Sequence, residues 1–367
     1  MENRMVLSNL LHRPIRTAVS VLAVAIEVGM VLLVVGMTTG MLDDSARRVE
    51  GVGADVLVQP PGASYFFAMT SAPMPIKIGD LLAEKVPHVL AVAPALFQFS
   101  STGGLNLIYG IDMESFNRVT GGFVYHKGGP FMGPYDILVD DWYAKANDVK
   151  VGKTLNFLNH DFRVSGIVEH GKGARLFIPL DTAQDLSGAH DKASIFFVKC
   201  TDPGYTEDVA SGIHKLLPKY QILSIREYMS LMTTNNLPAL TAFIRAMIAV
   251  AVAIGFLVIF LSMYTTITER TREIGILKSL GASKGYIIEL ILRETALVCI
   301  VGTLTGYAGT LLARKVIIVS FPTLTVELTL RWAVWAGMLA MAGSLIGAFY
   351  PALRAAQLDP VDALAYE

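Results

Sequence analysis

Charge is scarce in this sequence. Asp, Glu, Lys and Arg make up 17% of 367 residues, against 53% hydrophobic. The mean hydropathy is +0.51. That balance is too apolar for an ordinary soluble protein and too polar for one lying wholly in a membrane, so a few spanning helices and a sizeable water-exposed domain are expected. The net charge of −1 leaves no basic excess for nucleic acid. Cysteine is nearly absent. Cys200 and Cys299 are the two, the second inside an apolar run, so no disulfide is expected between them. The seven histidines show no HExxH spacing and no paired cysteines accompany them, so no metal site is expected.

Nucleotide and catalytic motifs are missing as well. Gly152-Lys153-Thr154 resembles the end of a phosphate-binding loop. That loop needs a glycine five residues earlier and a helix afterwards. Position 147 is Asn147, and Thr154–Phe157 reads as a strand. Asp140 and Asp141 are adjacent, and neighbours on a strand point to opposite faces, so they make no working acid pair. The sequence therefore predicts no enzyme and no cofactor bound by this chain.

What is present is a sequence of long apolar runs. Residues 1–16 read as a cytoplasmic amphipathic helix at the membrane surface, broken by Pro14. Residues 17–42 form the first expected span, with Glu27 as its single charge. An ionisable group in a span is costly, so Glu27 is a candidate intramembrane functional residue. Residues 43–224 are expected to be an extracytoplasmic α+β domain. Its strands are read at Ala54–Gln59, Val89–Phe99, Leu105–Ile111, Thr154–Phe157, Phe162–Val168, Arg175–Ile178 and Ser194–Cys200. Helices are read at Gly79–Lys85, Thr182–Leu186 and Thr206–Leu217, and Tyr65–Ile78 reads as an exposed loop.

Residues 225–240 are expected to form a stalk helix leading to a second span at 241–268. A third follows at 283–320, a loop at 321–331, a fourth span at 332–353 ending near Pro351, and a cytoplasmic tail at 354–367. The fold class is thus an α-helical membrane protein with four transmembrane helices and a large α+β domain inserted between helices 1 and 2. Eight Lys and Arg against five near the span ends favour a cytoplasmic N-terminus. Gly36/Gly40, Gly302/Gly306 and Gly343/Gly347 have the small-xxx-small spacing of closely packed or dimerising helices.

Glu269–Ala282, ERTREIGILKSLGA, stands out as a charged island. Ala246–Thr268 before it carries no charge for 23 residues, and Thr295–Ala313 after it none for 19. Glu269 and Arg272 are three apart, as are Ile274 and Leu277, while Ile276 and Leu280 are four apart. These spacings put side chains on shared helix faces. Gly281 sits where a left-handed cap is wanted, and Ser283 suits the N-cap of the next helix. An amphipathic helix on one membrane face, available to a partner's groove, is expected.

ERTREIGILKSLGAS after a span, YPALRAAQLDPVDALAYE at the C-terminus and RPIRTAVSVLAVAI near the start resemble the permease subunits of MacB/FtsX-type ABC transporters, the mechanotransmitting type VII group. VGKTLNFLNHDFRVSGIVEHGKGARLFIPLDTAQDLSG resembles that family's extracytoplasmic core. The resemblance implies an inner-membrane permease paired with a separate ABC ATPase, which binds ATP and Mg, and with a second permease copy or paralogue. It implies export of a drug, peptide or lipophilic molecule with a periplasmic adaptor (membrane fusion protein) and an outer-membrane channel. Lipoprotein extraction, or signalling to a cell-wall hydrolase, is the alternative. The implied coupling helix comprises Glu269, Arg270, Arg272, Glu273, Ile274, Gly275, Leu277, Lys278, Leu280, Gly281 and Ala282. Arg270, Arg272 and Lys278 would meet acidic groups, and Ile274, Leu277 and Leu280 would be the apolar anchors.

Overall fold

The computed structural model describes residues 14–63, 73–100, 106–232 and 236–359. The expected surface helix before Pro14, most of the Tyr65–Ile78 loop and the tail beyond Asp359 lie outside them. Two compact units emerge, one from residues 1–40, 238–319 and 326–367, the other from 41–237 and 320–325.

The second unit is α+β. Its ten-stranded sheet runs β12-β1-β11-β3-β4-β9-β6-β8-β5, with β7 paired to β8. The strands that match the sequence reading are β1 (Val56–Gln59), β3 (Val89–Ser100), β4 (Asn106–Ile111), β7 (Thr154–Phe157), β8 (His160–Val168), β9 (Leu176–Pro179) and β11 (Ile195–Cys200). The β4/β9 and β6/β8 pairs are parallel and the other pairs antiparallel. Both faces are covered. Leu57, Phe197, Tyr109 and Phe177 pack on one side, whereas Val56, Val58, Phe196 and Val198 pack on the other. A sheet buried on both faces favours unbroken apolar strands, which is why these are visible in the sequence.

The strands that the sequence does not reveal are short: β2 (Met74–Pro75), β5 (Tyr125–Gly128), β6 (Asp136–Asp140), β10 (Lys192–Ala193) and β12 (Gln221–Ser224). The β7/β8 hairpin is tighter than the four-residue loop expected. Leu158 and Asn159 both take positive φ, 53° and 61°, as a two-residue primed turn requires, and β8 therefore starts at His160.

Helices α2 (Lys77–Lys85), α3 (Met113–Thr120), α4 (Asp141–Ala146), α5 (Leu180–Ser187), α6 (Thr206–Leu216) and α7 (Ile225–Leu231) flank the sheet. Asp140 is the last residue of β6 and also the N-cap of α4, its Oδ1 accepting from Tyr143 N–H at 2.6 Å. The stalk at 225–240 needs correction. Its first part, α7, closes at Met232, and a new helix begins at Pro238. A proline is well placed at a helix start and poorly placed inside one.

The first unit is a helix bundle. It contains most of α1 (Pro14–Glu50), together with α8 (Pro238–Glu269), α9 (Thr271–Ser279), α10 (Lys284–Ser320) and α11 (Leu330–Gln357). Pro14 opens α1, and the helix expected before it lies outside the described residues. Pro351 lies inside α11, which continues to Gln357. Helices α1, α8 and α11 are long and apolar enough to cross a membrane. The third expected span, α10, is a continuous 37-residue helix whose apolar run is flanked by Lys284, Glu289, Arg293 and Glu294 at one end and by Arg314 and Lys315 at the other.

Two of the glycine pairs are used within the bundle. A Cβ on Gly302 would lie 2.7 Å from Val24 Cβ, and one on Gly306 would lie 2.8 Å from Ala25 O, so α10 meets α1 backbone to backbone. A Cβ on Gly347 would lie 2.9 Å from Phe256 O of α8. Close approach of this kind is what small residues allow.

Gly302→Leu should lower stability by about 1–3 kcal/mol through overpacking, seen as a lower thermal midpoint of the detergent-solubilised chain. Gly309→Leu, where no atom outside the helix's own turn lies within 4 Å, should leave the midpoint nearly unchanged.

Candidate functional site

Helix α9 occupies the charged island. Its C-terminus is closed by Gly281 at φ 95°, with Gly281 N–H donating to Lys278 O and Ala282 N–H to Leu277 O, both at 3.0 Å. This is the two-bond cap that a left-handed residue makes possible. Ser283 Oγ then accepts from Tyr286 N–H at 3.2 Å to start α10, and Arg293 pairs with Glu289 at 2.5 Å one turn on.

The island is fastened on all sides. Glu269, the last residue of α8, pairs with Arg16 of α1, and Arg16 also donates to Thr266 Oγ1 at 3.3 Å. Arg270 donates from Nε to Glu273 Oε2 at 2.8 Å and from Nη1 to Glu294 Oε2 at 3.3 Å. Glu294 is buried on α10. Lys278 Nζ reaches the end of α11, donating to Ala356 O at 3.0 Å and to Leu358 O. Ile274 is buried in the bundle core with Leu277 and Ala282 packed against it, and Gly275 is buried too.

The outward face is therefore different from the one expected. Ile274, Leu277, Arg270 and Lys278 are engaged inside the chain, and Leu280 is the anchor that remains, 80% exposed. Ile276 at 45% exposure joins it one turn away, with Arg272 and Glu273 exposed beside them. Sequence spacing pairs Ile276 with Leu280 without indicating which of the two apolar edges faces out. Glu294 and Arg16 are members of the site that sequence reasoning missed, because their pairing is tertiary and leaves no local pattern.

Glu27 lies within the bundle, 4% exposed, and neither carboxyl oxygen has a hydrogen-bond partner among the described residues. Its Oε2 occupies the space a side chain on Gly255 of α8 would fill, and a Cβ on Gly343 of α11 would lie 4.0 Å from Oε1. Glu27 thus fits against two glycines in place of a charged partner.

A second charged cluster sits in the α+β unit. Arg175, just before β9, pairs with Asp140 at 3.2 Å and with Asp44 near the end of α1 at 3.0 Å, and donates to Thr323 O at 3.3 Å. Arg48 lies 3.4 Å from Asp44, and Arg175 lies over the Trp142 ring, 5.3 Å from its centroid. Trp142 stacks on His170, whose Nδ1 meets Asp141 at 3.0 Å. Asp141 therefore orients His170 instead of working with Asp140. Burial raises the Asp140 carboxyl to about 6, against the pull of Arg175 and the Tyr143 N–H. The lookalike Lys153 donates to Asn147 O and Asp148 O at 3.3 and 3.0 Å, and Thr154 opens β7.

Long apolar helices carrying a short fastened helix, joined in one chain to a large α+β unit, are the architecture of a membrane protein with a sizeable domain outside the bilayer. A family model for the FtsX-like permease C-terminal part matches residues 245–360, and one for the MacB-like periplasmic core domain matches residues 17–216. The chain belongs to the MacB/FtsX family of ABC-transporter permeases. The macrolide export ATP-binding/permease protein MacB of Hahella chejuensis is 26% identical over 97% of this chain and 58% of its own length. That of Marinobacter nauticus is 28% identical over 96% and 58%. The chain thus spans under three-fifths of these relatives, and what matches the two family models is the permease part. The crystallised periplasmic region of MacB from Actinobacillus actinomycetemcomitans aligns with 48% of this chain and 92% of that one, at 17% identity and a TM-score of 0.38.

Removing Arg270 takes one charged hydrogen bond from Glu294. Arg270→Ala should cost about 1.5–3 kcal/mol in thermal or denaturant unfolding, while Glu273→Ala, at an exposed pair, should cost about 0.5 kcal/mol or less. The Asp140 carboxyl holds its proton more tightly folded than unfolded. Its contribution to stability is therefore full below the unfolded value of 3.8 and is lost as pH rises through about 6. Asp140→Asn should flatten the pH dependence of the thermal midpoint across that window relative to the parent chain.

Proposed function

We propose that this chain is the permease subunit of an ABC transporter in the inner membrane, with α10 as a fourth span and the α+β unit on the outer side. A separate ATPase hydrolyses ATP, and α9 seats in a groove on it. A second permease copy or paralogue completes the complex. The work is export of a drug, peptide or lipophilic molecule through a periplasmic adaptor and an outer-membrane channel.

The observation that carries this reading is the combination at α9 of inward fastening and outward apolar exposure. An amphipathic helix laid in a groove needs i and i+4 anchors, and Ile276 and Leu280 supply them. Arg272 and Glu273 beside them add charged contacts. A push on α9 is resisted at α10 through Arg270–Glu294 and at α11 through Lys278, so it moves the spans together.

Affinity purification of the chain from its native membrane in mild detergent should recover an ABC ATPase. Leu280→Asp and Ile276→Asp should each lose the ATPase and the stimulation of its turnover, with the thermal midpoint of the permease unchanged. Leu277→Asp should destabilise the permease itself. Lys153→Ala should leave ATP turnover of the complex unaltered. Retention of the ATPase by both outward-face variants would sink the coupling-helix assignment.

A further inference from the structure

Helices α8 and α11 run side by side in the same direction. Their contacts advance in step: Val252 beside Gly343, Phe256 beside Gly347, Phe260 beside Tyr350, and Tyr264 beside Arg354, whose guanidinium donates to the Tyr264 hydroxyl at 2.8 Å. An apolar groove of about 530 Å³ follows the upper half of this pair. Val252, Phe256, Leu339 and Ile346 form its walls, and Ala249 and Gly343 give it depth.

One cation lies at its end. Arg245 lines the groove, is exposed, and has no ion pair or hydrogen bond among the described residues. It immediately precedes the 23 uncharged residues of α8, which places it where an apolar core gives way to headgroups. Two turns back from the Val252–Gly343 contact, the shared register sets Ala336 of α11 level with Arg245, and Trp335 is its neighbour in sequence. Trp335 is half exposed, as an interfacial tryptophan should be. From Arg245 to Phe256 is roughly 16 Å of helix, about half the ~30 Å hydrocarbon core and thus the depth of one leaflet.

The charge pattern selects the headgroup. Before Glu269, α8 has no acidic residue, and α11 has none at all. Arg331 adds another exposed cation at the start of α11, on the same side as Arg245. Every phospholipid offers a phosphate diester to Arg245, but one that also carries an ammonium group brings a further cation beside Arg245 and Arg331 with no acidic partner along either helix. We propose that the α8/α11 groove is a binding site for an anionic phospholipid, with its phosphate on Arg245 and one acyl chain along Ala249, Val252, Phe256 and Ile346. The lipid lies in the leaflet at the Pro238 end of α8. It covers the outside of the helix pair whose inner side meets Glu27.

The test uses the full chain in nanodiscs of phosphatidylcholine doped with phosphatidylglycerol, transferred to mild detergent and read by native mass spectrometry. The parent chain should retain phosphatidylglycerol in preference to phosphatidylcholine. Arg245→Gln should reduce that retention about fivefold or more, at an unchanged thermal midpoint. Arg245→Lys should keep most of it, and Ala249→Trp, which fills the groove, should lose it with Arg245 intact. Equal retention of both lipids, or no effect of Arg245→Gln, would overturn the proposal. So would efficient disulfide formation between two copies bearing Ala249→Cys in membranes with bound phosphatidylglycerol unchanged, which would give the groove to a second copy.

Discussion

The pairing of Arg270 with buried Glu294 is the interaction on which the membrane end of the molecule depends. A carboxylate taken out of water in this way is tolerated only with a compensating charge, and losing one partner is far worse than never having had the pair. Arg270, one of the groups that meet this need, is the residue between α8 and α9, where the backbone leaves one helix and enters the next. The bend between the two helices is therefore held by charge as well as by the packing of Ile274. Lys278 repeats the arrangement at the other end of α9 with backbone carbonyls as acceptors. Between these ties a nine-residue helix, too short to be stable alone in water, has a defined position.

Much of this is legible in the sequence. The glycine that closes α9, the serine that opens α10 and the Glu289–Arg293 pair are local features written in local spacing. The same holds for strands buried on both sides, such as β1 and β11, whose short, unbroken apolar runs suit a doubly covered sheet. The edge strand β12 and the five-residue β6 are not legible, because a short segment bounded by polar residues resembles a loop until a neighbour pairs with it. Family membership is also readable, since the motifs that carry it are continuous stretches, near the start, within the α+β domain, at 269–283 and at the C-terminus.

The orientation of α9 is not readable, for a specific reason. Ile274 with Leu277 and Ile276 with Leu280 satisfy helical spacing equally well, so periodicity gives two apolar edges and no rule for choosing between them. The choice is made by Ile287, Ile291 and Met263, which belong to other helices and accept Ile274 into the core. A proline misleads in a related way. Pro351 reads as the end of a span, but it is buried within a helix that runs on to Gln357. A missing backbone donor has a small effect at a first turn, and tertiary packing overrides it elsewhere.

The cluster around Arg175 joins segments far apart in sequence: the end of α1 through Asp44, the sheet through Asp140, and the connection between α10 and α11 through Thr323. One guanidinium thus serves as a shared anchor for three routes along the chain. Within the α+β unit β6 and β9 are neighbouring strands, so the three segments share one fixed point on the sheet.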